Sequence, residues 1–361
     1  MQKLKLKIVI TFLALTIAVM ACSSSKTPVA TQSPATEIIV VQPTETSGPP
    51  PTAVIQHQII PVDLPENRSS HAGDYDSSVT AKEKKSNGGD RFTFERFERP
   101  FNANTMDIYF PELDIIDTFV YQDDTWIYGT IQVVDRSAAN SSPYKFAMQL
   151  DMNVDGKGDW LIVASNPPST DWTVEGVQVF HDANSDVGDL TAMTTDANSK
   201  SDGFETNVFD QGKGDDADAA WARVSPVDEN TIQLAVKRSV VGGSNLYMIN
   251  MWVGHSLLDA TLFDFSDHFT HEQAGAAEPE LPNFYPIKAV YELDNSCRMA
   301  VGFQPSGSEP GLCPVIAPAK SEGGTCAPPT RIQLSQCTQI GGTWNSSTCS
   351  CDAPPPLPPV P

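Results

Sequence analysis

Basic residues are scarce in this chain of 361 residues: 23 Lys and Arg stand against 45 Asp and Glu, a net charge of −22. Between residues 101 and 275 the imbalance is sharper, with 28 acidic and 8 basic side chains. Such a surface repels nucleic acid, which is excluded as a partner, and repels anionic lipid headgroups, while it suits divalent cations or basic partners. Helical periodicity is nearly absent, which excludes a helix bundle. No G-x-S-x-G motif occurs, and no cysteine lies between Cys22 and Cys297. Nucleophilic catalysis therefore has no sequence signature. Long apolar runs are also missing, apart from "IVITFLALTIAV" near the start, so no later segment reads as a membrane helix.

That one run is informative. It follows the basic "MQKLKLK" and precedes "VMAC", which resembles a bacterial lipobox ending at Cys22. Residues 1–21 then read as a lipoprotein signal peptide and Cys22 as the lipid-bearing residue, an anchor facing the extracytoplasmic side. A plain secretory signal is the alternative. Residues 22–90 are rich in Ser, Thr, Pro and Ala and poor in aromatics, so they read as a disordered stalk. A flexible chain of that length spans on the order of 50 Å.

From residue 91 to 276 the pattern is β. In "YKFAMQLD" Phe146, Met148 and Leu150 alternate with Lys145 and Gln149. "NTIQLAVKRSV" repeats the alternation with Ile232, Leu234 and Val236, and "YMINMWVG" is apolar on both faces, as in a central strand. Gly, Asp and Asn turns separate seven to ten such strands. The expected fold class is all-β: an antiparallel β-sandwich of jelly-roll type, with a disordered stalk before it and a small disulfide-rich segment after it. Phe92, Phe94, Phe97 and Phe101 read as a docking strand or arm at its start.

Residues 277–351 read as a linker and a cysteine-rich module, and 352–361 as a proline-rich tail. Cys297, Cys313, Cys326, Cys337, Cys349 and Cys351 make an even set in an exported chain, expected to form three disulfides among fifteen possible pairings. Zinc is the rival, but the segment lacks histidine and close C-x-x-C pairs.

The chemistry lies in acidic turns. "DMNVDGKGDW" places Asp151, Asn153, Asp155, Gly156 and Asp159 at the first, third, fifth, sixth and ninth positions of a calcium loop, with Lys157 offering its carbonyl. Calcium takes six to eight oxygens from a tightly turning chain, and glycine permits the turn. Ile162 stands where an EF-hand has glutamate, and a strand follows. The loop therefore reads as a strand connection that binds calcium, with a solvated Asp-Gly hairpin as the alternative. "HDANSDVGDL" repeats the spacing with Asp182, Asn184, Asp186, Gly188 and Asp189. Asp196, Asn198, Asp202, Glu205, Asp210, Asp215, Asp216 and Asp218 add carboxylates in loops expected to gather at one end of the sandwich, where a cation relieves their repulsion.

Trp126 and Tyr128 alternate with Ile127 and Ile131, so they face outward if the isoleucines face the core. They are then a platform for stacking a sugar, or a face covered by the N-terminal arm. "SDHFTHE", with Asp267, His268, His271 and Glu272, reads as a capped helical turn rather than a metal site.

Several stretches carry a family resemblance: "ERPFN", "YFPELDI", "LDMNVDGKGDW", "DGFETNVFDQGKGDDADAAWARVSP", "IQLAVKRS" and "FDFSDHFTHEQAG". Over residues 92–276 they resemble a domain of uncharacterised bacterial exported lipoproteins, similar to DOMON-like and family-nine carbohydrate-binding-like sandwiches. The resemblance implies a jelly roll with calcium in its loops and binding of a sugar or other ligand. Haem-binding members of that group use a Met and a His, but Met251 and His255 are not distinctively spaced, and haem is not expected. Three functions follow as expectations. The first is a lipid-anchored sandwich that binds an extracellular ligand such as a glycan, without catalysis. The second is a structural or adhesive envelope component. The third is a glycoside hydrolase, which needs a carboxylate pair in a cleft.

Overall fold

The computed structural model describes residues 56–86, 90, 92, 95–138, 143–188, 201–275, 287–306, 309, 311–313, 343–345 and 350–352. The chain divides into residues 1–53 and 54–361, and every described residue belongs to the second unit.

The strands in chain order are β1 (Ser70–Gly73), β2 (Glu98–Arg99), β3 (Ile115–Gln122), β4 (Trp126–Val133), β5 (Lys145–Asp151), β6 (Trp160–Ser165), β7 (Val177–His181) and β8 (Thr206–Asp210). They continue as β9 (Lys213–Gly214), β10 (Ala220–Val224), β11 (Thr231–Lys237), β12 (Tyr247–Gly254), β13 (Leu293–Asn295), β14 (Met299–Val301), β15 (Thr343–Asn345) and β16 (Ser350–Asp352). One sheet has the order β1-β3-β4-β11-β10. The other runs β2-β13-β12-β5-β6-β7-β8-β9, with β14 also beside β12, and β15 pairs only with β16. All named strand pairs are antiparallel. Consecutive strands β4 and β5 pair with β11 and β12 in the same order, one pair in each sheet. A chain that crosses in this way between two antiparallel sheets makes the fold an all-β antiparallel sandwich.

The period-2 pattern sets the faces. Ile127, Ile131, Phe146, Met148, Leu150, Ile232, Leu234, Val236, Ile249, Met251 and Val253 fill the core between the sheets. Gly129 interrupts β4 where a Cβ would lie 2.7 Å from Met251 Cε, so its missing side chain lets the sheets approach. β12 is buried along its whole length, as its two apolar faces require. Its outer face carries Trp252 into a second cluster with Phe92, Phe97, Phe204, Phe263 and Phe265. Phe92 and Phe97 thus form an arm, and it covers the nine-stranded sheet. Phe94 lies outside the described residues.

Two expected boundaries move. The stalk expected over 22–90 gives way to folded chain from residue 56 onward: β1 pairs with β3 from Ser70↔Val120 to Gly73↔Asp117. A strand that anneals to an existing sheet edge borrows a core and needs little apolar surface of its own. The module expected from 277 also begins too early, because β13 and β14 both pair with β12 inside the sandwich.

Arg99 fixes the arm to this frame. It is fully buried and donates to Asp90 Oδ1 at 2.6 Å, Asp90 Oδ2 at 3.0 Å, and the carbonyls of Ala274 and Val290 at 2.9 Å each. Removing one partner of a buried pair costs about 3–5 kcal/mol. Arg99→Ala is expected to lower the Tm by roughly 10 °C in a calorimetric melt, with Arg99→Lys recovering only part because it lacks the planar fork.

Candidate cation-binding loops and a covered aromatic face

The stretch Asp151–Trp160 connects β5 to β6, and Asp151 is its organising acceptor. Its Oδ1 accepts from Val154 N at 2.7 Å and Asp155 N at 3.3 Å, and its Oδ2 from Gly156 N at 2.9 Å. Val154 and Gly156 take positive φ, of 60° and 93°, which glycine tolerates without strain. Asn153 Oδ1 accepts from Asp155 N, Asp155 Oδ1 from Lys157 N, and Asp159 Oδ2 from Met152 N. The turn after β7 repeats the design. Asp182 Oδ1 accepts from Ser185 N at 2.7 Å and Oδ2 from Val187 N at 2.9 Å.

The two turns lie side by side. Gly158 N donates to Val187 O, Asp182 N donates to Asp159 O, and Lys157 Nζ donates to Ser185 O. Asn184 Nδ2 donates to both Asp186 and Asp202, Ser201 Oγ donates to Asp186, and Ala183 N donates to Glu205. The fold therefore brings together Asp151, Asn153, Asp155, Lys157, Asp159, Asp182, Asn184, Asp186, Asp202 and Glu205. Asp189, Asp196 and Asn198 lie outside the described residues.

The remaining acids do not join them. Asp210 meets Gln178, Asp216 accepts from Lys237 Nζ at 2.8 Å through each of its oxygens, and Asp218 holds the N-terminal segment. The expectation that all the acidic loops gather at one end is corrected to a pair of loops.

Burial pushes the carboxyls of Asp151, Asp159 and Asp182 above the ordinary range, against the pull of their backbone N–H donors. Arg298 supplies part of the balancing charge: its Nη1 donates to Gly156 O at 2.7 Å, and its charge acts on Asp151. The loop carboxylates thus bond to their own backbone, and in this pose no three of them converge on one point. Among the described residues, the one such convergence of carboxylate, imidazole or thiol groups is Glu98, Asp114 and Asp294.

Trp126 and Tyr128 do point away from the core, but they are buried, at 3% and 0% exposure. Of the two readings of this face, the open platform is corrected and the covered face stands. Trp221, Trp172 and Leu64 pack around them. The cover is the extended segment 57–64 rather than the phenylalanine arm. Asp218 ties it down, accepting from Gln58 N and Ile59 N at 2.9 Å each and meeting His57 Nδ1 at 2.7 Å. Trp172 Nε1 donates to Val62 O, and Arg223 stacks 4.4 Å from the centre of the Trp172 ring. Burial acts to raise the Asp218 carboxyl, but the two backbone N–H groups, His57 and Lys237 outweigh it and hold it low.

The other sequence candidates fall into structural roles. α1 (Phe265–His268) and α2 (His271–Ala274) are single capped turns, the second with a Thr270–Gln273 capping box, as "SDHFTHE" predicts. Met251 fills the core, and His255 pairs with Glu292 at 2.8 Å. Cys297 and Cys313 form a disulfide that joins the sandwich core, a bridge common to three of the fifteen possible pairings. Cys22, Cys326, Cys337 and Cys349 lie outside the described residues, and Cys351 sits in β16 opposite Trp344.

The protein is thus an antiparallel β-sandwich with paired acidic turns at the β5–β6 and β7–β8 connections. No family model matches the chain, and neither a curated protein nor a solved structure matches it.

Releasing the cover tests this anatomy. Asp218→Ala is expected to expose segment 57–64 to limited proteolysis at a rate at least severalfold above wild type. A red shift of tryptophan fluorescence should accompany it as Trp126, Trp172 and Trp221 meet water.

Proposed function

We propose that this protein is a non-catalytic, calcium-supported β-sandwich, lipid-anchored through Cys22 on the extracytoplasmic side, that serves as a structural or adhesive component of the cell envelope. The observation that carries the reading is the pairing of two turns with the same Asp-x-Asn-x-Asp spacing. Their buried carboxyls are raised by desolvation, the condition that a divalent cation relieves. The covered state of Trp126 and Tyr128 favours a structural role over glycan capture. Extracellular calcium modules bind at roughly 0.1–1 mM.

The test is a melt of the full-length protein in EDTA and in about 5 mM calcium, beside Asp155→Ala. A site with a dissociation constant near 0.1 mM adds about 2 kcal/mol, or roughly 4–9 °C, and Asp155→Ala should lose that increment. An increment that is absent, or that survives in the variant, ends the loop reading.

A second reading keeps the glycan. Four aromatic side chains, Trp126, Tyr128, Trp172 and Trp221, share one sheet face beneath a segment held mainly by one aspartate. If the segment lifts, that face is a stacking surface. Polysaccharide retention by Asp218→Ala but not by wild type, measured on a glycan array in calcium, is the expected outcome of this reading. Retention by neither leaves the structural role.

A further inference from the structure

Glu98 on β2, Asp294 on β13 and Asp114 just before β3 meet in the interior, exposed by only 1%, 0% and 0%. Glu98 and Asp294 stand directly opposite each other across the β2–β13 ladder, where like charges oppose pairing. Each of the three offers a carboxylate oxygen, and those atoms all lie within 4.8 Å of one another.

One oxygen of each is already engaged. Glu98 Oε1 accepts from Ser77 Oγ at 2.7 Å, and Asp294 Oδ2 accepts from Ile115 N at 2.7 Å. Asp114 Oδ2 accepts from Ser77 N at 3.0 Å and Tyr109 OH at 2.5 Å. The other oxygen of each, Glu98 Oε2, Asp114 Oδ1 and Asp294 Oδ1, is buried with no hydrogen-bond partner. Asp74, just after β1, adds a fourth such oxygen in Oδ2, and its charge acts on all three.

Among the described residues, no base forms an ion pair with Glu98, Asp114 or Asp294. Burial and the neighbouring carboxylates dominate Glu98 and Asp294, and they push Asp114 up to about 8. On Asp74, the outermost member of the group, burial raises the carboxyl and Arg96 acts to lower it. Arg99, next to Glu98 in sequence, spends its donors on Asp90 and two carbonyls. Buried charges persist when they are paired or bind a metal, and buried polar atoms are almost always satisfied.

We propose that Glu98, Asp114 and Asp294, with Asp74 beside them, form a buried binding site for a hard divalent cation, calcium in preference to magnesium. The donors are all oxygens, which selects hard cations over zinc or copper. Two oxygens each about 2.4 Å from one calcium ion stand no more than about 4.8 Å apart, against about 4.2 Å for magnesium. The site shares no residue with the paired loops and does not depend on their binding calcium. It joins β1 and β3 of one sheet to β2 and β13 of the other, so the ion clamps both sheets and the N-terminal segment together. The three carboxylates are almost fully buried, so exchange of the ion is slow. The same burial keeps a sugar away from this carboxylate trio.

The test is metal analysis of full-length protein exposed to about 1 mM calcium and then dialysed into metal-free buffer. Wild type and an Asp155→Ala/Asp182→Asn loop variant are each expected to retain one calcium per chain, and Glu98→Gln/Asp294→Asn none. Circular dichroism establishes that each variant is folded. A folded loop variant without calcium overturns the proposal, and so does a folded Glu98→Gln/Asp294→Asn protein that retains it. Should that double variant fail to fold, the loop variant decides alone, since it leaves the buried carboxylates untouched. Failure of the loop reading is scored separately, by the Asp155→Ala melt.

Discussion

Burial of β12 on both faces is the constraint on which the rest of the molecule depends. Its inner face places Tyr247, Ile249, Met251 and Val253 in the main core, and its outer face places Trp252 among the phenylalanines. A strand covered twice has little freedom of register, because a one-residue slip exchanges the two faces. Its partners inherit that precision. β5 is held along its length, so Asp151 falls opposite Met248 and the acidic turn starts at the sheet's end. β13 and β14 take successive halves of the same strand, which puts Asp294 on one side and the Cys297–Cys313 disulfide on the other. Arg298, next to Cys297, then reaches the Gly156 carbonyl. The disulfide and the acidic turn are thereby neighbours.

The molecule handles its excess of carboxylates in three ways. Those in the turns accept backbone N–H groups, which shapes the loops. Asp90, Asp216 and Asp218 meet bases and hold chain segments in place. Glu98, Asp114 and Asp294 keep buried oxygens without partners. The first two arrangements are complete as protein structure. The third is not, which is why it points to a ligand more directly than the turns do, although the turns carry the more familiar spacing.

Legibility followed the range of the interactions. The alternation in β4, β5 and β11, the double apolar face of β12 and the capped turn at Thr270 are local patterns, and they read correctly. The stalk boundary did not, because β1 and segment 57–64 use the surface of strands more than 40 residues away in sequence. Trp126 and Tyr128 were rightly placed on an outward face, but periodicity reports direction and not what lies on top. Among the acids, the spacing within one turn was visible and the partner turn could be guessed. Glu98, Asp114 and Asp294 carried no signal, since Asp294 is separated from Glu98 by almost 200 residues and each stands in an unremarked context.

The sequence by itself determined the sandwich, its strand faces and the local shape of the acidic turns, because these rest on period-2 burial and on hydrogen bonds within a few residues. Only the tertiary structure decided which segment covers the aromatic face, which cysteines join, and which carboxylates share a buried point. Those outcomes depend on the wrapping order of β4–β5 against β11–β12 and on the two edges closed by β1 and β2. Such contacts bring together residues with no common spacing, and no local pattern encodes them.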